Sequence, residues 1–541
     1  MPTVTFPLSY LQRLTATPAP LLEQLAFEYG LDATLQDQDL EVEVTAERPD
    51  LLAAEGFTRA INIYSGHPRT IPAHLPCSGL TVTVLPPVQP LRPYLAALVV
   101  HNAHLEDGGL EVLIQFQEKV TQTFGRQRKK IAIGVYDLDQ IQGNLTYTAV
   151  PQDQLCFVPL HSPQPMTGRQ ILTDHPSGRL YGHTLPASDL VPVLRDAQGT
   201  ILSMPPIINA AGVGDITPST RNLFIDVTGI LEQTVMETAN ILAHNFLDTG
   251  AEVRRVTIQA GTETLTTPNL ESRPVKFSAR FLNEIMGTAI PKAKLGQVLA
   301  RMDLEVSGTD VVYVPTYRTD IFSEVDLAGD LLVALGIETL PAEPLAVKFH
   351  LGAADPLRQF VLQVSDLAQR MGLMEVKSHI LTDPDILTWF SPLYLQTSNA
   401  KSRTASATRT TLQGGLLDIL SRNINAPKPI NIYETGEVLN LGPNGLVLES
   451  YGWGFASLDA RASFSTAKAY VQTLLKGLGL TFSLAEGQAP YYIAGRSAVV
   501  QVGGAEVGQF GEVHPELLNY FSFPEPICAG ELNLGRLLQF R

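Results

Sequence analysis

Cysteine is nearly missing from this 541-residue chain: Cys77, Cys156 and Cys528 stand far apart, without C-x-x-C or Cys/His spacing. That excludes a disulfide framework and a thiolate zinc site, and it fits a reducing compartment. No apolar run reaches the roughly 18 residues needed to cross a bilayer, so no membrane association is expected. The opening MPTVTFPLSYLQRL has no charged segment followed by an apolar one. A secretory leader is therefore not expected, and a cytoplasmic location is. Two nucleotide-binding signatures are also absent: the phosphate loop G-x-x-x-x-G-K-[ST], and a G-x-G-x-x-G that follows a strand. Basic charge is scarce, with 38 Lys and Arg against 54 Asp and Glu, a net charge of −16. Nucleic-acid binding along the whole surface is thereby excluded; a local basic patch, or a partner carrying the cations, remains open.

What is present is ordinary for a globular protein, 45% apolar and 17% charged residues. The length implies several domains of about 100–200 residues each. An α+β multidomain fold is expected, divided at 1–85, 86–268, 269–345 and 346–541. In the first part, helical patterns at Leu8–Arg13 and Pro20–Tyr29 precede the alternating strand LEVEVTAERPD, and Asp50 is placed to cap the helix that follows. The second part mixes strands with helices over Leu110–Phe124 and Leu231–Leu247. The third carries the helix signals SARFLNEIMG and PKAKLGQVLARM. The last alternates helices at 355–372, 414–423 and 464–478 with strands such as NIYETGEVL and LESYGWGFA.

The segment SMPPIINAAGVGDITPSTRNLFIDVTG, Ser203 to Gly229, concentrates unusual chemistry. Pro205 and Pro206 are expected to hold the backbone extended. Ile207, Ile208 and the amide Asn209 follow, then a turn-rich loop, then a strand over Asn222–Thr228. An apolar wall ending in an amide suits a recognition pocket; a plain strand–loop–strand core is the alternative. The segment resembles the PPIIN…TRN(L/I)FI(D/E)(V/C)TG signature of the β subunit of archaeal and eukaryotic-cytosolic phenylalanyl-tRNA synthetases. Two further stretches resemble the same family: Glu43, Arg48, Pro49, Asp50, Glu55, Gly56 and Arg59 near the start, and PTYRTDIFSEVDLAGDLLVALG at 315–336. Arg48 and Asp50 read as an ion pair at a helix start.

The resemblance covers nearly the whole chain and carries definite implications. Residues 1–85 become an N-terminal structural domain and 86–268 an editing domain that hydrolyses mischarged tRNA. Residues 269–345 become a small winged-helix-like domain, and 346–541 an antiparallel-sheet class II synthetase-like domain without catalysis, facing the α subunit. The protein is then an enzyme subunit. With two α and two β chains in a heterotetramer it attaches phenylalanine to tRNA(Phe) using ATP, and it edits Tyr-tRNA(Phe). In keeping with this, 346–541 holds no fRxE segment, and Arg536 in AGELNLGRLL stands without such a partner. A diverged paralogue acting as a tRNA-binding, trans-editing or purely structural module is the rival reading.

Site residues follow in the same way. Asn209 and Asp215 are the expected editing groups, with Pro205, Pro206, Ile207, Ile208 and Thr217 around the substrate. The family places an acidic residue just after the asparagine, whereas Ala210 and Ala211 stand here and Asp215 is the nearest carboxylate. His161 and His183 are further polar candidates, to be weighed against ordinary hydrogen-bonded histidines. Asp320, Asp326 and Asp330 form the expected Mg²⁺ site, since Asp326 and Asp330 share a helix face and oxygen ligands suit a hard cation. Gly329 stands where the family has a fourth carboxylate, and helix capping or surface charge is the alternative. Arg126, Arg128, Lys129 and Lys130 are the candidate tRNA contacts, or else cations at a helix end.

Overall fold

A computed structural model describes residues 2–541 apart from 73, 107, 309, 341, 343, 345, 346, 348 and 443. It divides into two compact units, Met1–Pro344 and Leu345–Arg541. Among the described residues, no helix is long and apolar enough to cross a membrane.

The first unit opens with a three-stranded antiparallel sheet in the order Thr3–Pro7, Asp39–Glu43, Asp32–Gln36. Helices Leu8–Leu14, Ala19–Glu28 and Ala54–Tyr64 accompany it. The helix over 54–64 is not capped by Asp50 as expected. Arg48 donates to both oxygens of Asp50, at 2.9 and 2.8 Å, so the carboxylate closes an ion pair and leaves the helix start uncapped.

A ten-stranded mixed sheet forms the middle of this unit. Its strand Tyr94–His101 is apolar and buried from Leu95 to Val100 because both faces are covered there. Ala96, Leu98 and Val100 join Phe116 and Val120 of helix Gly109–Gln122 and Val235, Ala239 and Leu242 of helix Glu232–Asp248. Leu95, Ala97 and Val99 enter a second core on the other face. Strand Cys77–Val84 ends just before the expected boundary at residue 85. Strand Cys77–Val84 pairs in parallel with Glu252–Ala260 and Leu145–Pro151, partners that lie far along the chain and give no local signal. The strand path runs from the hairpin Ile201–Met204 and Ile208–Asn209 at one end to Ile131–Asp137 at the other. These ends approach each other, since the Asn209 amide donates to the Val135 carbonyl at 3.3 Å.

The remainder of the first unit is a three-stranded sheet of Arg273–Lys276, Val311–Val314 and Glu305–Ser307. Helices Ala279–Met286, Lys292–Leu299 and Glu324–Leu335 pack with it.

The second unit is a seven-stranded sheet whose long central strands, Ile430–Leu441, Val447–Leu458, Ile527–Asn533, Ala505–Val513 and Tyr492–Val502, are antiparallel. Helices Pro356–Arg370, Gln413–Arg422 and Phe464–Gly477 lie within a few residues of the expected ranges. Phe360, Val364 and Leu474 from these helices close on Trp453, Phe455 and Phe510 of the sheet.

Candidate functional site

Where the two ends of the large sheet meet, a cavity of about 460 Å³ opens. Pro205, Pro206, Ile207, Ile208, Asn209 and Asp215 all line it. The two prolines do not run extended as expected. The Ile207 amide donates to the Met204 carbonyl at 2.8 Å, and Met204 pairs with Ile208, so Pro205–Ile207 forms the turn of a hairpin. The turn presents the apolar wall as a bend. Thr217 is not part of this cavity. Its amide donates to Thr220 Oγ1 at 3.1 Å and its hydroxyl meets Ser219, so it closes a surface turn.

The polar group on the cavity side of the sheet is one that local reading passed over. Strand Leu223–Gly229 alternates: Leu223, Ile225 and Val227 enter the helix-covered core, so Asp226 and Thr228 point the other way. Asp226 is 1% exposed. The Tyr136 hydroxyl donates to Asp226 Oδ1 at 2.6 Å and lies 2.8 Å from Ser203 Oγ. Burial pushes the Asp226 carboxyl up to about 7, against the opposing pull of the Tyr136 hydroxyl and of Arg92. Arg92, itself buried, fastens Thr228 through its hydroxyl at 3.0 Å and its carbonyl at 2.6 Å. Gly134 pairs with Asp226 across the strands. A Cβ there would stand 2.1 Å from the Tyr136 hydroxyl and 2.4 Å from Asp226 Oδ1. The glycine therefore makes room for the trio. The sequence held one signal for it, a carboxylate in the middle of the buried run LFIDVTG.

The basic cluster is split. Arg128 lines the cavity, donates to the carbonyls of Pro206 at 3.3 Å and Ile207 at 3.1 Å, and lies over the Tyr181 ring at 4.1 Å. It braces the hairpin turn with its Nη1. Arg126 and Lys129 are exposed and Lys130 half-buried. Arg126, Gln127 and Arg128 all take positive φ, so this is a left-handed loop following the helix.

The carboxylates of the expected Mg²⁺ site do not converge on a vacant point. Buried Arg318 binds Asp320 at 2.9 and 2.7 Å and Asp330 at 2.7 Å. Asp326 Oδ2 accepts from the amides of Phe322 at 2.7 Å and Ser323 at 2.8 Å, completing a capping box at helix Glu324–Leu335. Among the described residues no group of three His, Cys, Asp or Glu is arranged to hold a metal. The residues present do not fit the ion, because each carboxylate already has its partners. Burial works to raise Asp320, yet the Arg318 hydrogen bond holds it below the usual range; Asp330 is raised by its burial.

In the second unit, Arg409 is consumed internally. It binds Glu434 Oε1 at 2.6 Å, the Glu437 carbonyl at 2.7 Å and Ser378 Oγ at 2.8 Å. Arg536 donates to the Glu506 carbonyl at 2.9 Å.

The chain resembles known proteins along its whole length. Residues 340–534 match the pattern described as "Phenylalanyl tRNA synthetase beta chain CLM domain", and 275–337 match "tRNA synthetase B5 domain". It is 31% identical to the phenylalanine–tRNA ligase beta subunit of Pyrococcus horikoshii, over 91% of this chain and 90% of that one. The subunit of the same name from Aeropyrum pernix is 32% identical over 100% and 99% of the two chains. A crystal structure of an N-terminal fragment of the phenylalanyl-tRNA synthetase beta subunit from Pyrococcus horikoshii superposes with a TM-score of 0.59. It is 30% identical and covers 62% of this chain and 99% of the fragment.

Proposed function

The chain belongs to the family of phenylalanine–tRNA ligase beta subunits, and from that premise we propose how its two units divide the work of the enzyme. Paired with an α subunit, as two α and two β chains, it attaches phenylalanine to tRNA(Phe) in the cytoplasm. Adenylation falls to the α subunit. Residues 346–541 supply a class II-like sheet whose arginines Arg409 and Arg536 are occupied by protein oxygens. Residues 269–345 act as a winged-helix-like domain that braces the first unit. Mg²⁺ accompanies ATP in the ligation, and no step is assigned to Asp320, Asp326 or Asp330. The rival paralogue reading gains nothing from relatives that carry the beta subunit name over nearly their full lengths.

The cavity of the first unit hydrolyses mischarged Tyr-tRNA. One observation carries this reading: a buried trio, Tyr136, Ser203 and Asp226, lines the same cavity as the apolar stretch Pro205–Ile208. A tyrosine ring fits the apolar wall while its hydroxyl joins the trio. Phenylalanine could make no such hydrogen bond, and a site that pairs the hydroxyl discriminates strongly against the substrate lacking it. Asn209, tied to the Val135 carbonyl, holds the wall against the edge strand. The deciding measurement is deacylation of Tyr-tRNA(Phe) and Phe-tRNA(Phe) by the αβ enzyme. The wild type should release tyrosine selectively. Asp226→Asn should lose that preference, and equal behaviour of the two enzymes would remove the cavity from the argument.

A further inference from the structure

The trio explains recognition of a side chain but supplies no base for the water that must attack the ester. Asp226 is buried and bonded to Tyr136. Asp215 spends one oxygen on the Gly212 amide of its own loop, at 2.7 Å. His161 is the one imidazole lining the cavity among the described residues. It is exposed, and among the described residues its side chain has no hydrogen-bond or ion-pair partner.

Its placement is built into the backbone. The Leu160 amide donates to the Asn209 carbonyl at 2.9 Å, Pro159 bridges to Ala210, and the Ala211 amide donates to Val158 at 2.8 Å. The strand-like pairing thus carries His161 to the Asn209 end of the wall. There the Ser162 amide donates to the Pro159 carbonyl at 3.0 Å, closing a turn in which His161 takes φ +64°. A left-handed non-glycine residue is uncommon, and such positions gather at functional sites. The side chain lines the cavity with Leu160, Asn209 and Asp215, where an ester and its water would lie once the aromatic ring occupies the wall.

We propose that His161 is the general base of the hydrolysis, an inference that rests on the editing reading above. A neutral ring nitrogen takes a proton from water as the oxygen bonds to the ester carbonyl carbon. The bond from that carbon to the terminal ribose oxygen then breaks, and the imidazolium returns the proton to the ribose oxygen. Free tyrosine and tRNA with a restored hydroxyl leave.

His161→Gly suits the test because glycine adopts this φ without strain, so the turn survives loss of the ring. In the αβ enzyme it should slow Tyr-tRNA hydrolysis about a hundredfold or more. Added imidazole should restore part of the rate to His161→Gly and none to Asp226→Asn, while phenylalanine attachment stays at the wild-type rate. Hydrolysis by His161→Gly at the wild-type rate, or a loss that imidazole does not relieve, overturns the proposal. If the wild type is active and only Asp226→Asn fails, this inference falls and the editing reading stands. If the wild type releases no tyrosine, both fall.

Discussion

Asp226, the recognition group of the proposed site, also ties stability to pH through a single proton. Its carboxyl has an ordinary value of 3.8 when exposed and about 7 in the fold. Between those values the folded state binds more protons than the unfolded chain, so stability falls as pH rises. The contribution is full below about pH 4 and is lost as pH passes through about 7. Asp226→Asn cannot titrate, and its thermal unfolding midpoint should decline less than the wild type's between pH 4 and 8. Parallel profiles for the two proteins would show that Asp226 does not carry a raised value. The same neutral carboxyl can both donate to and accept from a hydroxyl, which an ionised one cannot.

At the scale of elements, the cavity depends on an edge strand that keeps one position free of a side chain. Gly134 lies between Tyr136 and its partner Asp226. Gly134→Ala should break the 2.6 Å contact, cost about 1–3 kcal/mol by overpacking, and remove selective tyrosine release together with it. Denaturant unfolding and deacylation measured on one preparation would check both. Helix Glu324–Leu335 makes the complementary case, since Asp326 closes the capping box at its start. Asp326→Ala should cost about 1 kcal/mol, equally with and without Mg²⁺. A cost that appears only in Mg²⁺ would restore the metal reading. The four-residue spacing of Asp326 and Asp330 placed them on a helix in the sequence, but did not say which carboxylate served it. Capping is a matter of one side chain's reach, and Asp320, Asp326 and Asp330 differ in reach only once the chain is folded.

Across the molecule, two short Arg-x-Asp hooks lie together. Arg48 grips Asp50, Arg318 grips Asp320, and Arg48 Nε is 3.9 Å from Asp320 Oδ1. Arg318→Met would leave Asp320 and Asp330 without their principal cation and should destabilise the first unit by about 3–5 kcal/mol, read as a lower unfolding midpoint. A change under 1 kcal/mol would mean that water already serves these carboxylates. For the enzyme as a whole, the purified chain without α should show no phenylalanine-dependent pyrophosphate exchange, because Arg409 is bound to Glu434, Glu437 and Ser378 and Arg536 stands without an fRxE partner. Exchange by the single chain would place an adenylation site within it.

By itself the sequence determined the α+β elements, the order of the parts and the stretch that holds the cavity wall. Those rest on local chemistry: periodic burial, proline and glycine geometry, and adjacent residues that stay adjacent in any fold. It also contained the Arg48–Asp50 pair, whose members are two positions apart. Tertiary structure alone decided that Pro205–Ile207 turns, that Arg128 braces that turn and that Thr217 faces away. It decided, too, that Ser203 meets Tyr136 across 67 residues. A carboxylate reads the same in one dimension whether it will meet a metal, an arginine, an amide or a phenol. Only the closing of the sheet's two ends and the burial of Arg318 distinguish them, because burial sets the cost of each charge and proximity sets what can meet that cost.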